Sequence, residues 1–165
     1  MTYDFRLREG LPAEDRKFLE IIDKFDWHVT KVAPRVDSHD KQEWFAYTTG
    51  LFVRYRHPEV IIFGGDIDLL HSILNRIGSQ VRLGTSFAPG IDYASVLEGR
   101  NCQFRFVEQK FYSQFPCWSN WFYEGEDYPL LQCIWPDANG FYPWDQRCFP
   151  GVRELQRFLF SSPAT

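Results

Sequence analysis

A chain of 165 residues, 44% hydrophobic and 24% charged with a mean hydropathy of −0.37, has the balance of a single globular domain with a sizeable core. A net charge of −4, a pI near 5.5 and the lack of any block of Lys and Arg exclude a surface built for phosphate backbones, so no nucleic-acid partner is expected. No window reaches the roughly 18 apolar residues that a membrane span needs, so no membrane association is expected either.

The first residues, Met1-Thr2-Tyr3-Asp4-Phe5-Arg6, carry no apolar run after their charges. That is not the pattern of a secretory leader, and the cytoplasm is the expected compartment. Pro12, Glu14 and Asp15 then open a helix over about 13–25, with Phe18, Leu19, Ile22 and Phe25 at helical spacing. The period switches at Trp27-His28-Val29-Thr30-Lys31-Val32, β-branched and alternating, which predicts a strand. A polar stretch from Pro34 to Gln42 reads as a loop. Trp44 to Thr49 reads as a second strand ended by Gly50, and Val60-Ile61-Ile62-Phe63 as a short strand covered on both faces.

Gly64-Gly65-Asp66 opens the clearest helix, with Leu70, Ile73, Leu74, Ile77 and Val81 as one apolar stripe and Gly84 at its end. Asp66 is placed to cap that helix, and with Asp68 beside it the Gly-Gly turn does not suit a phosphate. Gly78 inside the helix costs about 1 kcal/mol against Ala, which predicts close packing there. Thr85 to Gly90 is a turn-rich connector. Gln103 to Val107 alternates as a strand with Phe104 and Phe106 inward.

From Phe111 to Phe149, 13 of 39 residues are aromatic, with five acids against the lone base Arg147. Stacking bases on such a block would need a cationic groove, and the acids oppose one. Cys117 to Tyr123 predicts a short helix stopped by Gly125. Leu130–Trp135 and Phe141–Trp144 flank the turn Pro136-Asp137-Ala138-Asn139-Gly140 and predict a hairpin. Val152, Leu155 and Leu159 suggest a terminal helix before a frayed tail, Ser161 to Thr165. The pattern as a whole predicts an α+β single domain: a mostly antiparallel twisted sheet of about five strands with packed helices. The second choice is a small barrel-like core with peripheral helices.

Cys102, Cys117, Cys133 and Cys148 fall 15, 16 and 15 residues apart, and no close Cys or His pair marks a metal site. Structural thiols are expected, and neither metal nor cofactor. His57-Pro58-Glu59 with Pro116-Cys117-Trp118-Ser119-Asn120 is half of a zinc-deaminase pattern, but Asn120 stands where a second ligand cysteine is required.

Trp27-His28-Val29, Phe45-Ala46-Tyr47-Thr48-Thr49-Gly50-Leu51, His57-Pro58-Glu59-Val60, Gly64, Leu130-Leu131-Gln132, Trp135-Pro136-Asp137 and Pro143-Trp144 form a spaced set of short motifs. Over about 27–144 the chain thereby resembles an uncharacterised bacterial family known only as a domain of unknown function. The resemblance implies a bacterial, cytosolic, single-domain protein and carries no activity, substrate or catalytic residue. The charged N-terminal helix and the cysteines lie outside it.

Tyr47, Thr48, His57, Glu59 and Gln132 are polar or titratable residues beside apolar strands. They are either internal hydrogen-bonding groups, with His57-Pro58-Glu59 shaping a turn, or the lining of a pocket walled by Trp135 and Trp144. The expected function is a binding module for a protein or small-molecule partner through an aromatic-lined pocket or face. The alternative is a small metal-independent enzyme using acid–base chemistry at His57 and Glu59.

Overall fold

The structure, a computed structural model, describes residues 9–34 and 43–161. The N-terminal segment before Glu9, the expected loop after Pro34 and the tail beyond Ser161 lie outside the described residues.

Six strands, β1 (His28–Val32), β2 (Phe45–Thr49), β3 (Glu59–Phe63), β4 (Tyr93–Leu97), β5 (Arg100–Phe106) and β6 (Leu130–Ile134), form one sheet in the order β1-β2-β3-β6-β5-β4. Neighbours are antiparallel except the central pair, β3 and β6, which run parallel in the register Glu59↔Leu130 to Ile62↔Cys133. The fold is α+β, as expected, but the sheet is mixed. It is open, with β1 and β4 as its edges, so the barrel alternative does not hold.

Helix α1 (Ala13–Phe25) buries Phe18, Leu19 and Ile22, and stops where Asp26 turns left-handed at φ 76°. A single turn, α2 (Leu51–Tyr55), links β2 to β3. The long helix α3 (Ile67–Arg82) starts at Asp66, whose carboxylate accepts from the amides of Asp68 and Leu69, and buries Leu70, Ile73, Leu74, Ile77 and Val81. That stripe packs on Ala46, Val60, Ile62, Phe104, Leu131 and Cys133, one face of the sheet. Each such side chain contributes roughly 1.5–3 kcal/mol by leaving water. The alternate residues Phe45, Tyr47, Ile61, Phe63 and Leu130 face the other way, under Tyr112, Phe115, Tyr128 and Leu159. β3 is therefore covered on both faces, which is why its sequence is a continuous apolar run. Two shorter helices, α4 (Cys117–Phe122) and α5 (Pro150–Leu155), follow in the aromatic-rich part.

Four expectations are corrected. The hairpin does not form, because β6 is already paired on both sides, with β3 and β5, and offers Phe141–Trp144 no edge. Its turn survives: Asp137 accepts through its carboxylate from the amides of Asn139 and Phe141. Phe104 is buried, but Phe106, the last residue of β5, is 53% exposed, because the cluster around Phe104 stops short of it. Leu159 is buried yet lies beyond α5, while Leu155 in that helix is exposed; the Leu159 amide is held by Gln132 Oε1 at 2.9 Å, which pins an extended segment to β6. All four cysteines are free, three of them buried, but Cys117 at the start of α4 is exposed. β4 is a strand with no counterpart in the sequence reading.

Candidate functional site

Glu59 opens β3 with a fully buried side chain. Its carboxylate accepts from Thr48 Oγ1 (2.6 Å), the Gly50 amide (2.6 Å), the Phe52 amide (3.3 Å) and Tyr123 Oη (2.5 Å). The Thr48 hydroxyl in turn accepts from the Val60 amide at 2.9 Å. Glu59 thus supplies, from the following strand, the acceptor that the N-terminal amides of α2 lack. Gly50, at φ 122°, must be glycine: a Cβ there would fall 2.4 Å from the Asp26 carbonyl oxygen. Burial pushes the Glu59 carboxyl above the usual carboxylate range, and the donors of Thr48, Tyr123, Gly50 and Phe52 oppose it. The Tyr123 phenol is pushed up by burial and by the neighbouring Glu59 charge.

His57 is also buried, with neighbours of its own. Its Nδ1 lies 2.8 Å from the Pro58 carbonyl, and its Nε2 accepts from the Phe87 amide at 3.1 Å. These contacts fit the neutral ring with the proton on Nδ1, and burial lowers its pKa in agreement.

The remaining candidates are dispersed. Tyr47 Oη accepts from the Trp118 amide (3.0 Å) under α4, and burial pushes the phenol up to about 12. Gln132 donates to the Arg157 carbonyl (2.6 Å) and accepts from Leu159, tying the C-terminal segment to the sheet. Trp144 stacks on Tyr142 at 4.8 Å, with the Arg105 guanidinium 4.7 Å from its ring. Of the residues proposed from the sequence, the structure joins Thr48 to Glu59 and leaves the others apart.

Trp135 alone among them lines a cavity of about 430 Å³, with Gly64, Gly65, Leu69, Ser72, Ile73, Arg76, Leu97, Glu98 and Arg100. Three elements meet there: the exit of β3, the first half of α3 and the β4–β5 turn. Trp135 follows β6 directly, and its indole donates to the Phe63 carbonyl at 2.9 Å. The cavity therefore sits at the carboxyl ends of the two parallel strands. From β3 the chain leaves into α3, and from β6 into Trp135, which packs against the same cluster as α3. Gly65, at φ 88°, also lines this crevice.

The sequence reading passed over Arg76, Arg100 and Leu97, which come from separate elements with no shared motif. The available signal was Gly64-Gly65 between an apolar strand and a helix, a junction whose reading as a phosphate loop gives way to that of a helix cap. A second hollow, of about 390 Å³, lies between α1, the start of β1 and α3; it is lined by Trp27, His28, His71, Asn75 and Arg82, among others. Burial, with the nearby His71, lowers the pKa of His28 to about 4. Among the described residues no group of three or more His, Cys, Asp and Glu could hold a metal ion, and no described helix is long and apolar enough to cross a membrane.

No curated protein and no solved structure matches the chain. A family model does match, over residues 21–149, all six strands and all the motifs above, and the chain belongs to that family, described as a domain of unknown function, DUF4262.

Proposed function

We propose that the protein is a binding module whose partner is a small molecule, taken into the crevice beside Trp135. The observation that carries this reading is a cavity of about 430 Å³ at the carboxyl ends of adjacent parallel strands. Its volume falls within the roughly 300–1,000 Å³ of ligand pockets, and its floor is apolar with a few convergent polar groups. The alternative of acid–base chemistry at His57 and Glu59 has less support, because both side chains spend their hydrogen-bonding capacity inside the fold and neither lines the crevice. The bacterial cytoplasm is the proposed setting, on the strength of the sequence resemblance.

A fragment library followed by two-dimensional amide NMR tests the proposal. Binders are expected to move the resonances of Gly65, Leu69, Leu97 and the Trp135 indole together. Ser72→Trp, on the exposed side of α3, should fill the crevice and abolish those shifts while leaving the melting temperature in place. Shifts centred elsewhere, or undisturbed by S72W, would overturn it.

A further inference from the structure

The crevice has an uneven charge. Among its lining residues are two arginines, Arg76 and Arg100, and a single acid, Glu98, in a chain whose net charge is −4. Asp66 and Asp68, although close in sequence, do not line it, and the Asp66 carboxylate is turned back onto the amides of α3. Both guanidinium groups are held by backbone carbonyls: Arg76 Nη1 donates to Val96 at 2.8 Å and Arg100 Nη1 to Pro136 at 3.2 Å. A carbonyl fixes the position of a guanidinium while using one of its five donors and none of its charge. The carboxylate nearest Arg76, that of Glu98, is 3.8 Å away on a side chain 92% exposed, a pair of little strength. The Asp137 carboxylate is engaged by the amides of Phe149, Phe141 and Asn139, which with the nearby Arg100 hold it below the usual range. Two anchored cations thus border a floor of Leu69, Ile73, Leu97 and Trp135.

We infer that the ligand of this crevice is an amphipathic organic anion, its apolar body on Leu69, Ile73, Leu97 and Trp135 and its oxyanion head between Arg76 and Arg100. The inference rests on the binding reading above and adds the ligand's charge to it. Carboxylate and phosphate heads share the chemistry, because a guanidinium offers either one a pair of parallel donors. Glu98 then acts as a competitor for Arg76, and ligand binding displaces it.

Calorimetry with four six-carbon probes separates the terms: hexanoate, hexyl phosphate, hexanol and hexylamine. One or both anions should bind about tenfold or more tightly than hexanol, the worth of a charged hydrogen bond, and hexylamine weakest of all. Arg76→Gln and Arg100→Gln should each weaken the anions about tenfold and leave hexanol unchanged. Glu98→Gln should strengthen the anions several-fold, again without effect on hexanol. Equal binding of hexanol and the anions, unchanged in E98Q, would overturn the inference and leave the crevice as a neutral binding site. No binding by any probe, with the Trp135 indole resonance unmoved, would overturn both.

Discussion

The indole of Trp27 lies where a side chain at Gly78 would begin: a Cβ on Gly78 would fall 2.4 Å from Trp27 Cε2. The same indole donates to Asn75 Oδ1 at 3.0 Å and carries the Arg82 guanidinium 4.5 Å from its ring, so it has no room to withdraw. Gly78→Ala gains about 1 kcal/mol of helix propensity and loses more to overpacking, for a net destabilisation of roughly 1–2 kcal/mol. Urea unfolding measures it, and a stabilised G78A would refute the packing account. In a Trp27→Phe background the substitution should cost markedly less.

Glu59 serves four donors at once, and its replacements should rank accordingly. Glu59→Ala leaves them all in the core without an acceptor, and should cost about 3 kcal/mol or more. Glu59→Gln turns an amide group toward one of those donors and should cost about 1–3 kcal/mol. Tyr123→Phe removes one donor to Glu59 and leaves the Val53 amide, which donates to the phenol at 3.3 Å, without its acceptor; it should cost less than Glu59→Ala. Chemical denaturation of the three variants gives the order, and near-neutral E59A would remove the capping role assigned to this carboxylate.

For His57 the expected effect is on stability alone. His57→Ala strands the Phe87 amide and should lower stability by about 1–3 kcal/mol. Binding of fragments beside Trp135 should be unaffected at temperatures where the variant is folded. A fully stable H57A that no longer binds would restore His57 to the site.

His28 makes stability depend on pH. Its folded pKa, near 4, is below the ordinary 6.5, so the fold prefers the neutral ring and the unfolded chain takes up the proton first. Its contribution is complete above about pH 6.5 and is lost as pH falls towards 4, by up to about 3 kcal/mol. His57 shifts in the same direction, and Glu59, with a raised pKa, in the opposite one. Both remain in His28→Gln, so subtracting the variant's pH profile from the wild-type profile isolates His28. A wild-type profile parallel to that of H28Q between pH 7 and 4 would contradict the assignment.

The elements that could be read from the sequence are those whose local pattern and tertiary role coincide. α3 has its Asp66 cap, apolar stripe and closing glycine all in register, and β3 is apolar throughout because both of its faces are covered. β4 escaped notice because Ala94 and Ser95 are exposed at an edge, and the Ser95 carbonyl is bonded by the Gln80 side chain. The false hairpin had a correct turn at Asp137; what ruled it out was the occupation of both sides of β6 by strands distant in sequence. The candidate residues show the same division. Thr48, Gly50 and Glu59 are near neighbours in sequence and do act together, but as a cap. The crevice draws Gly65, Arg76, Arg100 and Trp135 from four places along 71 positions, and no spacing rule links them.

The parallel pairing of β3 with β6 also sets an order of events during synthesis. Glu59 meets Leu130 across the sheet, so the β3 edge stays bare until more than 70 further residues have been added. A ribbon of β1, β2 and β3 without β6 would carry an apolar, unpaired margin, a ready template for another chain. The last strand in sequence, β6, has to pair with both β3 and β5, and closure over such a separation is slow. A fragment ending before Leu130 should therefore associate with itself, and the full chain should refold more slowly than its length implies. The strand that completes the crevice is the same one that retires this sticky margin, so the crevice cannot exist before the chain has become safe from its neighbours.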